Sequence, residues 1–97
     1  MDAKIKTELI AALRSGKYQQ GRKSIQAEGK YCCLGVLCVV QGTNPDERWP
    51  EKYDRFISML PPDLAAGLTE PEQIELAILN DRGVSFKKIA DHIERNL

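Results

Sequence analysis

The run Tyr31-Cys32-Cys33-Leu34-Gly35-Val36-Leu37-Cys38-Val39-Val40 holds ten residues without a charge, a stretch with no equal elsewhere in the chain. A membrane span takes about 20 apolar residues, so this run is expected to be covered by the segments on either side of it. With 97 residues in all, there is material for one modest core, and residues 1–97 are expected to form a single compact domain. From Cys33 the spacing suits a helix to Gln41, with Leu34, Leu37 and Cys38 on one face and Gly42 ending it. Gly35 costs such a helix up to about 1 kcal/mol, which marks a place where another helix is expected to pack closely. Period alone does not separate a buried helix from a buried strand in so short a run, and the strand alternative stays open.

The flanking segments supply the cover. Asp2 can cap a helix running to about Ser15, with Ile5, Leu9, Ile10 and Leu13 along one face. Gly16 suits a left-handed helix end, and Lys17 to Gly21 reads as a polar turn. Ser24–Ala27 alternates, Glu28-Gly29 is a turn signal, and Lys30–Cys33 returns as a second strand. A two-stranded hairpin is marginal alone, so it is expected to lie on the helices. Thr43 to Asp54 reads as a loop punctuated by Asn44-Pro45-Asp46 and Trp49-Pro50, with Trp49, Tyr53 and Phe56 as anchors. Ile57–Leu60 suits a short extended segment, and Pro61, Pro62 and Asp63 open a short helix over Leu64 to Gly67. Thr69, Pro71 and Glu72 form a helix-start signal for a segment carrying Ile74, Leu76, Ala77, Ile78 and Leu79 to Asn80. Asp81-Arg82-Gly83 turns the chain, Ser85 caps the last helix, and Phe86, Ile89, Ala90, Ile93 and Leu97 form its inner face. The predicted fold is α+β, mainly α: four to five short helices around a central cysteine-rich apolar helix, with one small β-hairpin.

Charge narrows the function classes. Residues 1–30 carry seven basic and three acidic groups, whereas residues 31–97 carry seven and eleven. The zero total argues against nucleic acid as a partner, since non-specific binding draws most of its affinity from neutralised phosphates. A local basic site for a small anion is still open. The N-terminus lacks the basic-then-apolar pattern of a secretory signal, so a cytoplasmic location is expected, with no membrane partner. Cys32, Cys33 and Cys38 are odd in number and sit inside the apolar run, which reads as reduced, buried thiols.

Several segments carry the outline of a chemical motif. Gly16 to Ser24 approaches a phosphate-binding P-loop, but Arg22 stands between Gly21 and Lys23 where the motif needs Lys directly after Gly, and a helix precedes it where a strand should. The cysteine spacing is not that of a zinc site, and the single histidine, His92, falls on the polar side of the last helix with Asp91 and Arg95. No metal, cofactor or catalytic residue is therefore assigned. Leu79 to Ile93 has the outline of the first two helices of a helix-turn-helix, but no reading helix follows before Leu97 and the segment is acidic for a DNA face. An ordinary helical corner is the expectation there. Arg14, Lys17, Arg22 and Lys23 around Gly16 and Gly21, by contrast, combine cations with backbone donors that can approach an anion.

Four blocks occur together: Ala12-Leu13-Arg14-Ser15-Gly16-Lys17-Tyr18-x-Gln20-Gly21, Cys32-Cys33-Leu34-Gly35-Val36-Leu37-Cys38, Leu60-Pro61-Pro62 and Leu79-Asn80-Asp81-x-Gly83-x-Ser85-Phe86. As a set they resemble a family of small bacteriophage and prophage proteins of unassigned function, with Val39 standing where that resemblance leads one to expect an acidic residue. The resemblance implies an accessory protein of the host bacterial cytoplasm, directed against host defence, and supplies no reaction. The leading expectation is non-catalytic binding and sequestration of a small anionic, nucleotide-type ligand. Arg14, Lys17 and Arg22 would face phosphate and Tyr18 and Gln20 a base or sugar. Asn80 and Asp81 would serve first as turn residues and second at the site. The alternative is a protein-binding inhibitor of a host defence enzyme or nuclease, and a homo-oligomer is compatible with either.

Overall fold

The computed structural model describes residues 1–51 and 59–97. Its order is α1 (Ala3–Arg14), β1 (Gln19–Gln20), β2 (Gln26–Ala27), β3 (Lys30–Tyr31), α2 (Cys33–Val40), α3 (Pro45–Arg48), a 3-10 turn (Pro62–Leu64), α4 (Glu70–Asp81) and α5 (Phe86–Asn96). The chain is thus α+β and mainly α, as expected. Tyr53, Phe56 and the first two residues of the Ile57–Leu60 segment lie outside the described residues.

The apolar run is a helix. Gly35 and every other residue of α2 from Cys33 to Cys38 is buried. A helix apolar all round must be enclosed on all sides, and α1, α3 and α4 together with β3 enclose this one. The close approach anticipated at Gly35 exists, but its partner is not a helix. A Cβ there would collide with the Ile25 carbonyl, so glycine lets the strand region lie directly on α2.

The three other long helices start where their side chains cap them. Asp2 accepts from the Ile5 N–H at 2.9 Å, and Ser85 accepts from Lys88 at 3.3 Å. Thr69 and Glu72 exchange reciprocal bonds, 2.8 Å from the Thr69 N–H to Glu72 and 3.3 Å from the Glu72 N–H to Thr69, which satisfies two otherwise orphaned donors. α1 lays Leu9 and Leu13 against α5 and α2, and α5 contributes Phe86, Ile89, Ala90 and Ile93. On α4 the buried residues are Leu76, Gln73 and Asn80, whereas Ile74 and Ile78 face outward.

Two local readings are corrected. Lys17 to Gly21 is not wholly a turn: Gln19–Gln20 forms β1, which pairs in parallel with β3, while β2 pairs antiparallel with β3 on its other side. The hairpin is therefore the larger part of a three-stranded mixed sheet in the order β1-β3-β2. Within the loop beginning at Thr43, Asn44-Pro45-Asp46 opens the helical turn α3. Asn44 accepts from the Asp46 N–H at 2.9 Å, and Pro45 occupies a first-turn position where no N–H is needed.

Candidate functional site

Two amide side chains, the half-buried Gln20 and the buried Asn80, set the geometry around the basic turn. Asn80 is fully buried at the end of α4. Its Oδ1 accepts from Gln20 Nε2 at 3.1 Å and from the Cys33 N–H at 3.2 Å, and its Nδ2 donates to the Gly21 carbonyl at 2.7 Å. Gln20 Nε2 also donates to the Val84 carbonyl at 2.7 Å, while its Oε1 accepts from the Phe86 N–H at 3.2 Å. Both donating N–H groups, of Cys33 and Phe86, belong to first helical turns, which lack intrahelical partners. Cys32 offers no side-chain cap to α2, and Asn80 acts in its place from another element. One pair of amides therefore ties β1 to α2, α4 and α5.

The turn after β1 rests on the α4–α5 corner. Asp81 Oδ1 accepts from the Lys23 N–H at 2.9 Å, holding Lys23 in the left-handed region at φ 61°. The Arg22 guanidinium lies over Gly83, where a Cβ would collide with it. On the other side of β1, the rings of Tyr18 and Tyr31 meet edge to face, with centroids 5.6 Å apart and planes at 84°. Lys17 Nζ sits 5.6 Å from the Tyr18 centroid, within the range of a cation–π contact. Tyr31 also lines an open cavity of about 390 Å³ whose wall includes Val39, Thr43, Asn44 and Asp46.

Arg14 is turned away from this arrangement. Its Nη1 and Nη2 reach Glu94 at 3.1 and 3.2 Å, and Nη2 reaches Asp91 at 2.8 Å. Hydrogen bonds from Glu94 and then Asp91 push the guanidinium pKa upward, and the Glu94 carboxyl is held below its ordinary value, chiefly by the Arg14 hydrogen bond. Arg14 thus spends its charge joining α1 to α5.

The residues singled out in the sequence fall into three groups. Arg14 pairs with α5; Lys17 and Tyr18 join Tyr31; Gln20, Arg22, Asn80 and Asp81 gather at the α4–α5 corner. Among the described residues, Lys17, Arg22, Lys23 and Lys30 pair with no carboxylate. Lys30 and Tyr31 give no site signal in the sequence, where their pattern is that of a hairpin strand running into the apolar run. The Gln19↔Lys30 and Gln20↔Tyr31 registers of the parallel pair bring them beside the basic turn.

The three thiols behave as core atoms. Cys32, Cys33 and Cys38 are free and buried, and Cys33 Sγ donates to the Leu76 carbonyl at 3.5 Å. Desolvation pushes Cys32 up to about 11 and Cys38 up to about 12, and moves Cys33 upward as well. His92, expected on the polar side of α5, is half-buried, with Nε2 3.3 Å from Glu75 Oε1.

These features define a small, mainly α domain with a mixed sheet, an amide-braced corner and an unpaired basic rim. No helix among the described residues is long and apolar enough to cross a membrane. The chain belongs to the family described as domain of unknown function DUF8296, whose model matches residues 1–62. No curated protein matches it, and no solved structure does.

Proposed function

We propose that this chain is a non-catalytic binding protein that sequesters a small anionic ligand of nucleotide type on the rim formed by Lys17, Tyr18, Arg22, Lys23, Lys30 and Tyr31. The observation that carries this reading is the edge-to-face pair of Tyr18 and Tyr31 with Lys17 against it, in a stretch of chain whose cations Lys17, Arg22, Lys23 and Lys30 form no ion pair among the described residues. Arg14, by contrast, is held by Asp91 and Glu94. A phosphate would gain charge-assisted bonds from Lys17, Arg22 and Lys23, while the cavity beside Tyr31 leaves room for a planar group. Stacking on a tyrosine contributes about 1–3 kcal/mol per base in single-strand binders. The sequence resemblance to bacteriophage accessory proteins supports a role against host defence in a bacterial cytoplasm, where nucleotide signals are ligands of this chemistry.

Calorimetry of the wild type against a panel of cyclic and linear nucleotides tests the reading. At least one should bind, with affinity lowered at least about tenfold, about 1.4 kcal/mol, by Lys17→Glu. Arg14→Lys should leave binding unchanged, because Arg14 serves α5. Failure of every nucleotide to bind, or equal binding by wild type and Lys17→Glu, would overturn it.

A further inference from the structure

The outward face of α4 has a pattern that the anion site does not use. Ile74 and Ile78 are 37% and 44% exposed, large values for isoleucines in a helix whose opposite side is buried. With Glu70, Pro71, Glu75 and Arg82 they line an open groove of about 620 Å³. Neither Glu70 nor Arg82 has an ion-pair partner among the described residues.

We propose that this face is the contact surface of a homodimer, in which α4 of two copies cross antiparallel along Glu70–Ile74–Ile78–Arg82. These four residues are spaced by four and form one continuous ridge of the helix surface. Interdigitation of two such ridges gives a crossing near −50°, the commonest helix-packing class in globular proteins. The ridge is complementary to itself: Glu70 and Arg82 lie equally far along the helix from its middle, which falls between Ile74 and Ile78, and so do those two residues. A two-fold axis through that middle brings Glu70 of each copy to Arg82 of the other and Ile74 to Ile78, as an isologous interface requires. A partner of uniform charge would leave one end facing a like charge, whereas a second copy satisfies both. A crossing of one helix per copy covers less than the roughly 1,000 Å² of a stable interface, so the dimer is a weak one that forms at high concentration.

Sedimentation equilibrium of the wild type from about 10 µM to about 1 mM, a span of about 2.7 kcal/mol in binding free energy, should show monomer giving way to dimer. Glu70→Arg and Arg82→Glu should each weaken association at least about tenfold. The double variant E70R/R82E, which restores the complementarity in reverse, should recover most of it. Ile78→Glu, at an exposed position, should abolish the dimer while far-ultraviolet circular dichroism stays unchanged. A chain that is monomeric throughout the range overturns the proposal. So does association that is indifferent to both single reversals, or a folded double variant that fails to recover.

Discussion

Removal of the Asn80 side chain would orphan the Cys33 N–H and the Gly21 carbonyl and deprive Gln20 Nε2 of one of its two acceptors. Each buried group left unsatisfied costs about 1–3 kcal/mol, so Asn80→Ala is expected to cost about 2–6 kcal/mol in urea denaturation. Asn80→Asp keeps an acceptor for Cys33 but loses the donor to Gly21, and should recover only part of that loss. At Gly35 the expected damage is steric. Gly35→Ala would drive a methyl into the Ile25 carbonyl, and the sheet would have to lift from α2. The cysteines invite a labelling experiment. Desolvation holds their thiols protonated near neutral pH, and it is the thiolate that reacts. Iodoacetamide should therefore modify the native chain slowly and the urea-unfolded chain quickly. Rapid native labelling of all three would contradict their burial.

Among the elements, α4 offers a prediction with a defined pH range. The Thr69 N–H and hydroxyl lower the Glu72 pKa from its ordinary value of 4.5. A carboxyl with a depressed folded pKa adds stability that is fully present above the unfolded pKa and disappears as pH falls through the folded one. The stability difference between wild type and Glu72→Ala should therefore hold from neutral pH down to about 4.5 and shrink below it. Thr69→Ala should cost about 1 kcal/mol at neutral pH. The helix starts at Asp2, Thr69 and Ser85 were legible because capping is local chemistry. The helical turn α3 carried a readable signal in Asn44-Pro45, but its four residues gave no apolar period to set against a loop. β1 was opaque for a different reason. Two residues have no period, and parallel pairing with β3 depends on a crossover that local patterning does not encode. The sequence named Gln20 and Asn80 as candidates, but not the geometry that joins them. The amides that meet are 60 positions apart, and the carboxylates that capture Arg14 are 77 and 80 away.

In the whole molecule, α2 is surrounded by elements from both ends of the chain, and α1 packs chiefly on α5. Leu37 lies at the centre with no exposure. Leu37→Ala should cost about 2–5 kcal/mol, the range for a truncated core leucine, and an unchanged denaturation midpoint would refute its central placement. The residues matched by the family model carry α1, the sheet and α2, yet the apolar cover from Ile89 and Ile93 and the amide of Asn80 come from beyond them.

The bond from Gln20 to Asn80 also has a bearing on synthesis. At roughly 5–20 residues per second, the 60 positions between these amides take roughly 3–12 s to translate. Within that interval the nascent chain adds the apolar α2 segment before the amide of Asn80 exists to bond Gln20 or the Cys33 N–H. Chaperone capture, or association between neighbouring nascent chains on one message, would compete with folding until α4 and α5 have left the ribosome.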